Sequence, residues 1–440
     1  MRVLIIDPQG AGLDIAIRAQ ADGHKVKHFI RQTEKTKHIA RGFVDVVEDY
    51  RPWLNWPDLI FNTDNTRYLR ELDTLRAFGL PIIGASSETA QWELDRDKGQ
   101  KILKKHGIEV PSCREFSDYD AAIAYVKKEN RRFVSKPSGD ADKALSYVAK
   151  TPADLVYMLE RWKKLGKLKQ PFILQEFIGG VEMAVGGWFG PNGFNDGWCE
   201  NFEFKKLMDG DMGVATGEQG TVVRYVRRSK LARKMLDPLT DLLAKEQYVG
   251  YVDVNCIIDD KGQAWPLEFT MRPGWPTFNI QQALHTGDCI EWLAMLAKGE
   301  DAKMVQMDTI AMGVVLSVPD YPYSHLTRKE VVGSPIYGLT PGLWKNLHPC
   351  EMMMGEAPVD RGGKIVTEPI PVTAGDYVLV MSATGETVLD AKRKVYRRLK
   401  RLTVPNSPMY RTDIGDRLGR QLAGIQENGY ATGMLFSTSP

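Results

Sequence analysis

The opening of the chain constrains its fold most. An apolar run from Val3 to Ile6 breaks into a loop with Gly10, Ala11 and Gly12. A helix-patterned stretch follows over 13–23, and a second apolar run over 25–30. A strand, a glycine loop, a helix and a strand, in that order, begin an open α/β sheet. The alternation continues with strands expected at 44–47 and 59–62, a helix over 67–80 and a strand over 81–86. Residues 1–85 therefore read as one small doubly wound domain.

A chain of 440 residues is too long for one ordinary core, and two to four domains are expected. A helix is expected over 89–108, ending at Gly107, because glycine takes the left-handed backbone of a helix end without penalty. A new pattern starts at Val110. It comprises helices over 118–130 and 153–165 and strands over 132–138, near 145–149 and over 171–178, which suggests a separate small α+β lobe over about 110–180. Strands over 251–259 and 264–271 flank Asp260-Lys261-Gly262-Gln263, a hairpin signal. From about Thr309 the chain turns strand-rich, with strands at 311–318, 333–339, 364–374 and 377–383 and an amphipathic helix over 386–402. The end after about Asn428 is small and polar and is expected to fray. The divisions are thus 1–85, 86–305, 306–420 and a tail over 421–440.

Charge argues against nucleic acid, since the formal net charge is only +2. The basic run over 391–402 is simplest as a solvated helix face with Val395, Tyr396, Leu399 and Leu402 turned inward. Five scattered cysteines without a C-x-x-C pair suit a reducing cytosol. No segment approaches the roughly 18 apolar residues of a membrane span, and the first apolar run is too short for a signal peptide. A cytoplasmic protein with no membrane or nucleic-acid partner is expected.

Four features carry possible chemistry. In the hairpin, Asp253 and Asn255 share one face of the first strand, and Glu268 and Thr270 one face of the second. Antiparallel pairing would gather a carboxylate, an amide, a hydroxyl and Arg272, which suits Mg²⁺ and phosphate; spacing alone slightly favours an ordinary surface hairpin. Lys136 ends an apolar strand before Pro137, Ser138 and Gly139, a position from which it can reach nucleotide phosphates, with Lys143 just beyond and Lys98 upstream. Glu176 and Glu182 flank the Gly179-Gly180 turn. The Gly10–Gly12 loop opens a helix, whose free N–H groups attract phosphate, but it lacks the full dinucleotide spacing.

Taken in order, these features resemble phosphoribosylamine–glycine ligase (glycinamide ribonucleotide synthetase), of the ATP-grasp superfamily, to about residue 420. The motifs are Arg96-Asp97-Lys98 before a helix ending at His106-Gly107-Ile108, the glycine-poor lid 135–145, the hinge 175–182, the Asp209-Gly210-Asp211 loop, the magnesium strand 268–277, and Arg411-Thr412-Asp413-Ile414-Gly415. The resemblance implies an N-terminal (pre-ATP-grasp) α/β domain, a two-lobed α+β ATP-grasp domain and a strand-rich C-terminal domain. It implies ATP and Mg²⁺ (or Mn²⁺) as cofactors, small-molecule substrates (an amino acid and a phosphorylated amine), and a monomer or homodimer. Lys98, Lys136 and Lys143 would hold ATP phosphates. Glu176, Phe177 and Ile178 would form the adenine hinge, with Glu182 at the ribose. Glu268, Thr270 and Asn255 would bind the metal. Arg272 and Lys136 would act in catalysis, and Gly10, Gly12 and Arg272 would meet substrate. Thr270 replaces the family's Asn ligand, and Trp275 and Thr277 replace acidic residues near the acceptor. A divergent ligase with another nucleotide-like amine, or a non-catalytic nucleotide-binding homologue, are the alternative readings. The seven histidines form no cluster.

Overall fold

A computed structural model describes residues 1–137, 146–167, 171–300, 306–323 and 329–438. The first 85 residues form a five-stranded parallel sheet in the order Asp45–Val47, Lys25–Phe29, Arg2–Ile6, Leu59–Asn62, Ile82–Ile83. Val3 to Ile6 are fully buried, as a strand covered on both faces requires. The strand order reverses beside Arg2–Ile6, so the crevice between its carboxyl end and that of Leu59–Asn62 is the sheet's topological switch point.

The expected single helix over 89–108 is two, Gln91–Leu94 and Arg96–Lys105. Asp95 between them is extended (φ −104°, ψ 96°), and its carboxylate accepts from Lys98 N, capping the second helix. The helix ends as expected, with Gly107 at φ +78°.

The small lobe is a four-stranded sheet in the order Cys113–Phe116, Phe172–Glu176, Phe133–Pro137, Tyr147–Val148. Helices Tyr119–Glu129 and Pro152–Lys164 cover it. Their inward residues Ala122, Val126, Leu155 and Leu159 pack with Phe133 and Leu174.

A nine-stranded sheet forms the rest of the frame. Its path runs Ala264–Thr270, Gly250–Ile258, Val181–Gly190, Trp198–Glu203, Gly220–Val226, Ile310–Leu316, Leu379–Gly385, Leu347–Pro349, with Gly193–Phe194 paired to Val181–Gly190. The strands beyond Thr309 thus continue the sheet that carries the hairpin. The basic helix, Val388–Leu399, lies on this sheet with Val395 and Leu399 buried and Tyr396 and Leu402 against the same core. Of the strand expected over 333–339, only isolated bridges at Pro335 and Tyr337 form. Among the described residues no helix is long and apolar enough to cross a membrane.

The segment expected to fray is packed. Helix Leu418–Glu427 is followed by buried Tyr430, Ala431 and Met434, and the Tyr430 hydroxyl donates to Gly262 O at 3.0 Å. The polar composition of this end hid three apolar side chains spaced to reach the core.

Candidate functional site

The hairpin forms, and a β-bulge between Asn255 and Cys256 shifts its register by one residue, which sets Asp253 opposite Thr270 and Asn255 opposite Glu268. It is no surface hairpin: Asp253 and Asn255 are only 4% and 3% exposed. The side of this sheet toward the small lobe gathers a dense charge cluster. Lys205 Nζ lies 2.8 Å from Glu182, 3.1 Å from Glu203 and 3.5 Å from Glu268. Arg96, first residue of its helix, pairs with the other oxygen of Glu268. The break at Asp95 restarts the helix with Arg96 in this position.

These charges set one another's ionisation. Burial alone would push the Glu268 carboxyl up, but Arg96, Lys205 and Lys136 outweigh it and hold Glu268 well below the usual carboxylate range. Burial would likewise lower Lys205, yet Glu182, Glu203 and Glu268 raise it well above the ordinary lysine value. Lys136 is the opposite case. Burial, with Arg96 adding to it, brings its ammonium down to about 8. Asp253, one residue pair deeper, is pushed up to about 7 by burial and by Glu203.

Hard oxygen donors suited to a divalent cation are present. Asn255 Nδ2 donates to Glu203 at 2.8 Å, which leaves Asn255 Oδ1 a buried acceptor without a partner, directly across from Glu268. Among the described residues, however, no three carboxylate, imidazole or thiol groups converge at metal-binding geometry. The carboxylates converge on the Lys205 ammonium instead. A carboxyl–amide oxygen set of this kind fits Mg²⁺, and Thr270 contributes at most a neutral hydroxyl.

The other expected residues are distributed as follows. Lys98 forms an ion pair with Glu88 at 2.6 Å, and Arg96 faces Glu268. Arg272 pairs with Glu93 at 3.2 Å, on the short helix before the break. Glu176 accepts from Arg131 NH1 at 2.8 Å and from Ser112 Oγ at 2.7 Å, and the Phe177 ring lies 3.4 Å under the Arg132 guanidinium. Ile178 is half-buried beside them. Gly180 approaches the hairpin so closely that a Cβ there would meet Ile258 O at 2.2 Å, which explains the glycine. Lys143 and the rest of 138–145 lie outside the described residues. At Gly10 and Gly12, expected to meet substrate, two N–H groups of the turn are bonded within the chain, to Asp7. Its carboxylate accepts from Ala11 N and Gly12 N at 3.0 and 2.7 Å.

Sequence reasoning named Arg96 only as a motif residue and did not single out Lys205 or Glu203. Lys205 and Glu203 frame a strand end, and an alternation of charged with aromatic residues over 203–205 was the available signal. Arg411, expected only as a motif residue, is 2% exposed and donates to Lys206 O at 3.0 Å, to Asp211 and to Asp413.

A sequence model of the family described as phosphoribosylglycinamide synthetase, ATP-grasp (A) domain, matches residues 96–277. Among curated proteins, the chain is 26% identical over 359 residues to the phosphoribosylamine–glycine ligase of Xanthomonas campestris, covering 79% of each. It is 26% identical over 342 residues to that of Escherichia coli K12, covering 74% of this chain and 75% of the relative. Among solved structures, the phosphoribosylamine–glycine ligase of Thermotoga maritima superposes with a TM-score of 0.71 at 21% identity, over 94% of this chain and 100% of that one. An L-amino acid ligase from Bacillus licheniformis gives a TM-score of 0.58 at 15% identity, over 92% and 99%.

Proposed function

We propose that this chain, whose residues 96–277 match the phosphoribosylglycinamide synthetase ATP-grasp (A) domain, is an ATP-dependent carboxylate–amine ligase of the phosphoribosylamine–glycine ligase kind. The observation that carries the reading is the convergence of Arg96, Lys136 and Lys205 on Glu268, all within the matched segment.

The reaction joins two halves. The carboxylate of an amino acid, glycine in the parent reaction, attacks the γ-phosphorus of ATP and releases ADP. The amine then attacks the acyl-phosphate carbonyl and expels phosphate. Glu268, Asn255 Oδ1 and Glu203 would hold Mg²⁺, which when bound supplies positive charge to the phosphate oxygens. Arg96, Lys136 and Lys205 add fixed positive charge around the transferring group, the main catalytic contribution in phosphoryl transfer. Lys136 at the end of Phe133–Pro137 reaches in from the small lobe to the Glu268 cluster, so that lobe supplies a charge to the phosphates. The hinge 176–178 would meet a planar base through its backbone carbonyls, since Glu176 N and Phe177 N already donate to Ser112 O and Arg132 O.

The test is ADP release with glycine and 5-phosphoribosylamine beside a panel of other amino acids and amines, with mass spectrometry of the product. An amide product in step with ADP supports the ligase. ATP binding with no ADP release from any pair would instead support a nucleotide-binding protein that has lost turnover, the reading favoured by Thr270 at the expected ligand position.

A further inference from the structure

The switch point of the N-terminal sheet is where an open α/β sheet takes its ligand, and the helix start beside it is where an anion binds. In this chain the N–H groups of Ala11 and Gly12, just ahead of that helix, are taken by the chain's own Asp7. Asp7, at the end of Arg2–Ile6, is fully buried. Its Oδ1 accepts from Ala11 N at 3.0 Å and from Thr63 Oγ1 at 2.6 Å. Its Oδ2 accepts from Gly12 N at 2.7 Å and pairs with His28 Nε2 at 2.8 Å. The Thr63 bond spans from one side of the switch point to the other, since Thr63 follows Leu59–Asn62.

The glycines serve the same internal packing. A Cβ on Gly10 would meet Ile39 Cδ1 at 2.8 Å, and one on Gly12 would meet Thr63 Cγ2 at 2.9 Å and Asp7 Oδ2 at 3.2 Å. Close approach at this turn is therefore made by Ile39, Thr63 and Asp7. Burial opposes the Asp7 charge, but His28, Thr63 and Gly12 N keep its carboxyl below the ordinary value, so the built-in group is an anion.

We propose that Asp7 is a specificity residue that stands in for a substrate phosphate, so that the amine accepted by this ligase carries no phosphate at the glycine turn. A phosphate arriving there would find the Ala11 and Gly12 N–H groups already engaged by the Asp7 carboxylate. The proposal rests on the ligase reading and narrows its acceptor to an amine whose end at this crevice is uncharged, such as a sugar amine with a free hydroxyl.

Two measurements on the full chain test it. The first compares ribosylamine with 5-phosphoribosylamine, each with ATP and glycine. The expected result is a kcat/KM higher for the unphosphorylated amine by on the order of tenfold or more. A wild-type preference for the phosphorylated amine overturns the proposal. The second titrates ribose 5-phosphate with ADP filling the nucleotide cleft. No saturable binding is expected in the wild type, and Asp7→Gly should gain it; saturable binding by the wild type overturns the proposal. Should Asp7→Gly fail to fold, the wild-type arms still decide. Absence of ADP release with every amine sinks the ligase reading alone, because the titration reads the turn without turnover.

Discussion

Arg411 NH1 donates to Asp211 Oδ1 at 2.9 Å, although the two residues are 200 positions apart. The same nitrogen donates to Lys206 O, and Asp413 accepts from Gly210 N at 2.8 Å. Two sequence motifs that look unrelated thereby become one clamp, which fixes the backbone next to Lys205. The cation at the centre of the acidic cluster is held from the far end of the chain.

Glu268→Gln keeps the shape of the side chain and removes its charge. Arg96, Lys205 and the proposed cation lose their common counter-charge. ADP formation should fall on the order of a hundredfold or more, the scale of losing one preorganised electrostatic group, with an unchanged circular dichroism spectrum. Normal turnover by the variant would remove Glu268 from the proposed cation site.

Lys205→Met leaves Glu182, Glu203 and Glu268 without their shared ammonium. Breaking such a partly buried cluster should cost about 3–5 kcal/mol, read as a lower denaturation midpoint. Mg²⁺ should restore more stability to this variant than to the wild type, because a cation binding the folded state stabilises it by mass action. An equal Mg²⁺ response in both proteins would mean that Lys205 does not stand in for a cation.

Lys136 gives the site a pH dependence. Its ammonium titrates near 8, below the ordinary lysine value, chiefly through burial. It is charged below that pH and neutral above it, so ATP affinity should be flat to about pH 8 and weaken beyond. Linkage to folding runs the other way. The unfolded chain binds the proton more tightly, so this group's penalty on stability is full below pH 8 and relieved as pH rises above it. Isothermal titration with ATP from pH 6.5 to 9.5 checks the affinity, and Lys136→Met should flatten the profile at a lower affinity.

Tyr430→Ala tests the packed C-terminal segment. A fully buried aromatic ring is deleted, along with its bond to Gly262 O. The expected cost is about 3–5 kcal/mol. An unchanged melting temperature would mean that the segment is not part of the core in solution.

Much of the frame was legible because it is local. Alternation placed Asp253 with Asn255 and Glu268 with Thr270 on their own strands, and Gly262 placed the turn, but the bulge between Asn255 and Cys256 that sets Asn255 opposite Glu268 left no signal in the spacing. The buried run Val3 to Ile6 identified a parallel strand by the same logic. What the sequence hid depends on convergence from distant segments. Arg96 reaches Glu268 only because Asp95 breaks a helix whose apolar spacing runs on unbroken. Lys205 is one lysine among many until three carboxylates from separate strands close around it. Gly10 and Gly12 looked open to a ligand because periodicity cannot say whether Ile39, Thr63 and Asp7 already fill the space beside them.

The bond from Tyr430 to the hairpin tip has a consequence for how the protein is made. The two partners are separated by 168 positions. At about 5–20 residues per second, a ribosome needs roughly ten to thirty seconds to get from one to the other. For that interval the strands bearing Asn255 and Glu268 exist without the brace at their turn. Slow synthesis over the last hundred residues would prolong a nascent state in which Gly262 and the apolar surface beside it are open to chaperones.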